Sequence, residues 1–371
     1  MSESIRLFLC GDVMTGRGID HILPHSSPPQ LYERHVGDAR AYVKLAERAH
    51  GPLPRPVEYG YIWGDALEIL DRYRPDLGLI NLETAVTTSD AHWQGKGIHY
   101  RMHPGNLPCL TAADVRVCSL ANNHVLDWGF QGLKETLDAL QGAGIQSAGA
   151  GVDADQASRP AALEVSGERQ VSIFAWGMPS SGIPPEWSAS RDRAGVQLMP
   201  DASERAVNDV ISTIQDSTSR RDLVLVSLHW GGNWGYRVPD EQRRMAHRLI
   251  QEAGVDLIHG HSSHHVKGIE VYEDRLILYG CGDFINDYEG IQGHERFRGD
   301  LAVMYFPELD PESGHLLGLE MVPLQRRKLS LQRAEKRDVN WLGDVLNREG
   351  RHLATHFQVQ KGEIITWDPQ S

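Results

Sequence analysis

Residues 223–231 read LVLVSLHWG and residues 255–265 read VDLIHGHSSHH. Each is a short run of valine, leucine and isoleucine that breaks into histidine without first alternating with polar residues. Such a run marks a strand buried on both faces, as in a largely parallel or mixed α/β sheet. The same pattern recurs at 5–12 (IRLFLCGD), 76–84 (DLGLINLET), 115–124 (VRVCSLANNH), 171–177 (VSIFAWG) and 275–284 (RLILYGCGDF). Between the runs lie amphipathic stretches. GFQGLKETLDALQGAGI (129–145) sets Leu133, Leu137 and Leu140 at helical spacing, and PDEQRRMAHRLIQEAGV (239–255) opens on Pro239 and Asp240. Both stop at glycine, as helices do. Strands alternating with helices predict an α/β protein.

This pattern occupies residues 1–330 as one domain, with proline- and aromatic-rich insertions at about 20–60 and 177–195. Residues 331–371 read as a small extension packed on it, a helix near DVNWLGDVLNREG followed by a strand pair near THFQVQKGEIITW. The chain has 37 basic and 50 acidic residues, a net charge of −13, which excludes a nucleic-acid partner because phosphate backbones demand a basic face. Cys10, Cys109, Cys118 and Cys281 show no C-x-x-C spacing and read as small core residues. The apolar start IRLFLC is too short for a signal peptide or a membrane span, so the expected location is cytoplasmic.

The polar residues fall at one structural position. Asp12, Asn81 with Glu83, Asn122 through His124, His229, and His261 with His264 each follow a predicted strand. Singly, these are ordinary turn, cap or semi-buried residues. Together they matter, because strand C-termini in such sheets share one edge and sites form there. Of the remaining clustered histidines, His259 belongs to the strand itself and His265 reads as a neighbour.

The ordered series GDVMTGR (11–17), NLET (81–84), LANNHVLDWG (120–129), SLHWG (227–231), GHSSHHVKGIEVY (260–272) and LILYGCGDFIND (276–287) resembles the CapA, or poly-γ-glutamate synthesis, family. That family is similar to calcineurin-like metallophosphoesterases. The resemblance implies a four-layer αββα sandwich and assigns roles by position. Asp12 looks like the first-metal aspartate, Glu83 like the bridging carboxylate and Asn123 like a second-metal ligand. His124 looks like the histidine that protonates a leaving group, His229 and His261 like second-metal ligands, and His264 like the one returning to the first metal. Such a donor set suits Mn²⁺, Fe²⁺ or Zn²⁺ over Ca²⁺.

Three departures keep other readings open. Met14 stands where the superfamily has a histidine, NLE replaces the usual carrier of the bridging carboxylate, and the terminal pair is His-x-x-His. One metal, or none, is therefore an alternative to two. Without metal, Asp12 with His264 or His261 forms an acid–base pair able to move a proton at an α-carbon, as in a peptide epimerase. The main expectation is a metal-assisted hydrolase of a phosphorylated, peptide or polyglutamate-type substrate. A non-catalytic assembly protein for an anionic polymer is the third reading, and the charge of −13 tells against it. Arg17 and Arg101 are the expected holders of a substrate carboxylate or phosphate, Trp230 and Trp234 the expected contact rings, and Asp283 a support for a ligand.

Overall fold

The computed structural model describes residues 4–165, 169–219, 221–291 and 293–369. Two sheets pack face to face. The first runs in the order Phe357–Gln360, Ile364–Trp367, Leu316–Arg327, Leu301–Leu309, Ile5–Val13, Leu77–Leu82, Val117–Ser119 and Gln146–Ala148. Its half from Ile5–Val13 to Gln146–Ala148 is parallel, and Asp283–Ile285 adds a short parallel pairing beside Ile5–Val13. In the second sheet the parallel strands are Arg169–Gly177, Leu223–His229, Leu257–His261 and Arg275–Leu278. Every run read as a buried strand forms one.

Leu7, Leu9 and Leu79 of the first sheet meet Ile173, Leu225 and Leu257 of the second in a common apolar core. The outer faces are covered by helices. Gly129–Gly142 lays Leu133, Leu137 and Leu140 on the first sheet, and Glu204–Ser217 and Asp240–Ala253 cover the second. The layers are thus helix, sheet, sheet, helix, the anticipated α/β sandwich. After residue 331 the helix Lys336–Gly350 presses Val339, Leu342 and Leu346 into the inter-sheet core, and the last two strands lengthen the first sheet. The 20–60 segment carries the helix Arg40–His50, and 177–195 folds as two short 3-10 turns.

One irregularity aims the site. Alternation sends Leu7 and Leu9 inward, which would turn residue 12 outward. Between Leu9 and Asp12 the strand slips one residue against its neighbour, so Leu9 pairs with Leu79 but Asp12 with Asn81. This bulge returns Asp12 to the inner face. It requires glycine at 11, where a Cβ would lie 1.6 Å from the Gly282 carbonyl oxygen. That close approach sets Asp283 in register beside Asp12.

Candidate metal centre

Asp12 is fully buried. Its Oδ1 accepts a 2.7 Å hydrogen bond from Asn81 Nδ2, while its Oδ2 has no partner. Asn81 also donates to Glu83 Oε2 at 3.2 Å, and Asn122 fixes its orientation by donating to Asn81 Oδ1 at 3.0 Å. Asp12, Glu83 and Asp283 are thus three buried carboxyls in one cluster. Burial, then the Asp283 charge, pushes the Asp12 carboxyl up to about 7, and burial with Asp12 raises Glu83 as well. Asp283 moves the other way, because His264 Nδ1 lies 2.8 Å from its Oδ1 and Arg326 is near.

The second sheet supplies the nitrogen donors. His229 and His261 are register partners on adjacent strands, with their Nδ1 atoms 2.7 Å apart. His261 Nδ1 is 3.9 Å from Asp12 Oδ1, and His229 Nε2 is 3.1 Å from Asn123 Oδ1. Burial keeps both rings well below the usual imidazole pKa and therefore neutral, the form that binds metal. Two donor sets emerge, each with one ligand atom per residue within 4.8 Å of the others: Asp12, His229, His261; and Asp12, His264, Asp283.

These residues fit a divalent cation. A bare buried carboxylate oxygen flanked by imidazoles is costly without a positive charge, and mixed oxygen and nitrogen donors suit Mn²⁺, Fe²⁺ or Zn²⁺. Asp12 is common to both sets. Glu83, expected to bridge, stands beside them, its Oε1 3.7 Å from His124 Nε2. Asp283, expected only to support a ligand, offers a carboxylate directly.

His124 is held from behind. Its Nδ1 lies 2.7 Å from Asp127 Oδ2 and 2.9 Å from Lys96 Nζ, and Lys96 also reaches Asp127 Oδ1. Burial lowers the His124 pKa to about 4. Asp127 follows His124 by three residues in HVLD, a spacing that could have flagged it; nothing local pointed to Lys96.

Three expected substrate contacts are structural instead. Arg17 is buried, bonded to Asp287 and Glu33, and sandwiched between the Tyr42 and Tyr100 rings at 3.8 and 4.5 Å. Arg101 lies 3.7 Å over Trp128 and donates to the Ser89 and Pro28 carbonyls and to Asp90. Trp230 is core, its indole N–H donating to the Tyr279 carbonyl. Trp234 is half-buried, stacks on His294 at 4.0 Å, and lines a cavity of about 430 Å³ that reaches Asp283. Among the described residues, no helix is long and apolar enough to cross a membrane.

Fold and centre together define a helix–sheet–sheet–helix α/β sandwich with oxygen and nitrogen donors gathered at its strand ends. The chain belongs to the bacterial capsule synthesis protein family PGA_cap, whose profile matches residues 6–288. It is 49% identical over 364 residues to a probable polyglutamine synthesis accessory protein of Mycobacterium tuberculosis, covering 98% of this chain and 96% of that one. It is 30% identical to the PGA biosynthesis protein CapA of Bacillus subtilis over 61% of this chain and 56% of that protein. A solved structure described as a novel phosphatase from Mycoplasma pneumoniae has a TM-score of 0.47 at 11% identity, covering 88% of this chain and 95% of that one.

Proposed function

We propose that the chain is a hydrolase working with a divalent cation on Asp12, acting on a phosphorylated or glutamyl-peptide substrate. The observation that carries this reading is the unpartnered Asp12 Oδ2 shared by two donor sets. Asp12, with His229 and His261 or with His264 and Asp283, would hold the cation, which would supply Lewis acidity toward a phosphoryl or acyl oxygen and lower the pKa of a water. The protein's own groups do the rest. His124, braced by Asp127, stands at the edge of the carboxylate cluster with Nε2 available for proton transfer. The cavity walled by Trp234 and His294 receives the remainder of the substrate. The names of the relatives, from polyglutamine and PGA synthesis, favour a glutamyl polymer or its precursor.

A metal-independent epimerase is the second reading, favoured by the His264–Asp283 pair at 2.8 Å beside Asp12, an oriented acid–base dyad. Protein purified without chelator is analysed for metal and assayed for hydrolysis and for α-proton exchange in D₂O. Bound Mn, Fe or Zn, lost in His229→Ala, with hydrolysis that depends on it, supports the hydrolase. Metal-free protein that exchanges an α-proton refutes it in favour of the epimerase. Absence of both activities leaves the assembly role.

A further inference from the structure

Hydrogen-bond parity along one buried chain fixes where a proton sits beside the centre. Leu225, Ser227 and His229 share the inter-sheet face by alternation, and Leu257, His259 and His261 lie in register beside them. His259 Nε2 lies 2.7 Å from the Cys10 carbonyl oxygen, across the sandwich. A carbonyl only accepts, so Nε2 carries a proton. His259 is fully buried and its other hydrogen bond goes to a hydroxyl, so a charged ring would stand uncompensated there. The ring is neutral and its Nδ1 is a bare acceptor. Ser227 Oγ, 3.2 Å from that Nδ1, gives it the only proton a hydroxyl has. The same oxygen can then only accept from His261 Nε2, 2.8 Å away. His261 is left with a bare Nδ1 facing Asp12 and His229.

We propose that Ser227 and His259 are positioning residues that hold His261 in the tautomer whose bare Nδ1 is presented to a cation. The proposal rests on the cation reading of the centre. His229 is oriented from its far side in the same way, since Asn123 Oδ1 accepts from its Nε2 and leaves a second bare Nδ1. Two such nitrogens, 2.7 Å apart, offer both lone pairs to a cation beside Asp12. The device borrows rigidity from both sheets, because its anchor, the Cys10 carbonyl, belongs to the strand that also carries Asp12.

The test has two arms. Imidazole ¹⁵N spectra of the chelator-treated full chain, with His261 assigned by its loss in His261→Gln, read the tautomers directly. Protonated Nε2 on both His259 and His261, with bare Nδ1 on His259, is the expected result; a bare Nε2 on His261 overturns the proposal. In the second arm Zn²⁺ is titrated into Ser227→Ala and Ser227→Thr. Loss of a ligand-orienting partner lowers affinity about 10–100-fold in Ser227→Ala, and the retained hydroxyl of Ser227→Thr restores it. Ser227→Ala that binds Zn²⁺ as tightly as the parent sinks the idea, and if that variant does not fold the spectra of the parent decide. A parent that binds no Zn²⁺ refutes the cation reading instead, and leaves the tautomer result standing.

Discussion

Replacing Asp12 with asparagine separates the cost of the centre from its use. In the cation-free protein the Asp12 carboxyl titrates at about 7 against an ordinary 3.8, because it is buried and faces Asp283. Three decades of proton affinity at about 1.4 kcal/mol each set an upper bound of about 4 kcal/mol for holding the charge above pH 7. Asparagine keeps an oxygen for the Asn81 amide but places an N–H where Oδ2 now has no partner, a loss of about 1–3 kcal/mol. The balance favours Asp12→Asn by about 1–3 kcal/mol at pH 8. At about 2.1 cal/mol/K per residue over 371 residues, that raises Tm in chelator by about 1–4 °C. The sign with pH follows from a folded-state pKa above the unfolded one. This carboxyl's stabilising contribution is full below about pH 4 and is lost as pH rises through about 7, so the parent weakens over that window while the variant does not.

Cation reverses the order. At one hundred times Kd a ligand adds about 2.7 kcal/mol to the parent, and the variant, lacking the donor common to both sets, gains little. Calorimetry in EDTA and then in excess Mn²⁺ or Zn²⁺, at pH 5.5 and 8, reads all four states. An Asp12→Asn protein that melts below the parent in EDTA at pH 8, or gains as much from metal, refutes the reasoning.

Asp283→Asn removes a donor from one set only, so bound metal falls by one equivalent while the Asp12, His229, His261 set stays loaded, as elemental analysis reads. Arg17→Met leaves Asp287 and Glu33 buried without their cation and costs about 3–5 kcal/mol, a Tm drop with KM of the folded protein unchanged; a raised KM at unaltered Tm would restore Arg17 to the substrate. Trp234→Ala removes the ring stacked on His294 at the cavity wall, which weakens substrate binding by about 0.5–1.5 kcal/mol, a several-fold rise in KM with little change in melting.

How far the sequence reached follows from what each residue's surroundings depend on. Strand runs and their terminal donors are local properties, so LVLVSLH and VDLIHGH disclosed the strands and the histidines at their ends, while the register that pairs His229 with His261 came only from the structure. Arg17 was misread because its fate is decided by Asp287, 270 positions away, which meets it only once Asp283–Ile285 pairs beside the first strand. Trp230 was expected as a contact ring, yet the second sheet's outer core encloses it and its N–H finds the Tyr279 carbonyl. Asp283 was read only as a support for a ligand, and in the structure it begins a three-residue strand. Its weight comes from register, and register is invisible in a single chain's pattern.

Register also bears on the donor that Met14 does not supply. Met14 is buried, and its backbone N–H bonds the Ile285 carbonyl, so the strand that should have carried a histidine is clamped to the segment after Asp283. That clamp, the Gly11–Gly282 approach and the bulge at Asp12 are one construction: each brings the start of Asp283–Ile285 against the end of Ile5–Val13. On the proposed reading a carboxylate therefore enters from the neighbouring strand where an imidazole would have come from this one. A carboxylate adds negative charge that a histidine would not. The consequence is a centre whose two donor sets differ in charge: one carboxyl with two neutral imidazoles, against two carboxyls with one imidazole. The second set should prefer the harder cation, so competition between Mn²⁺ and Zn²⁺ should load the two sets unequally, Zn²⁺ favouring His229 and His261. Equal loading of both metals at both sets would contradict the charge asymmetry.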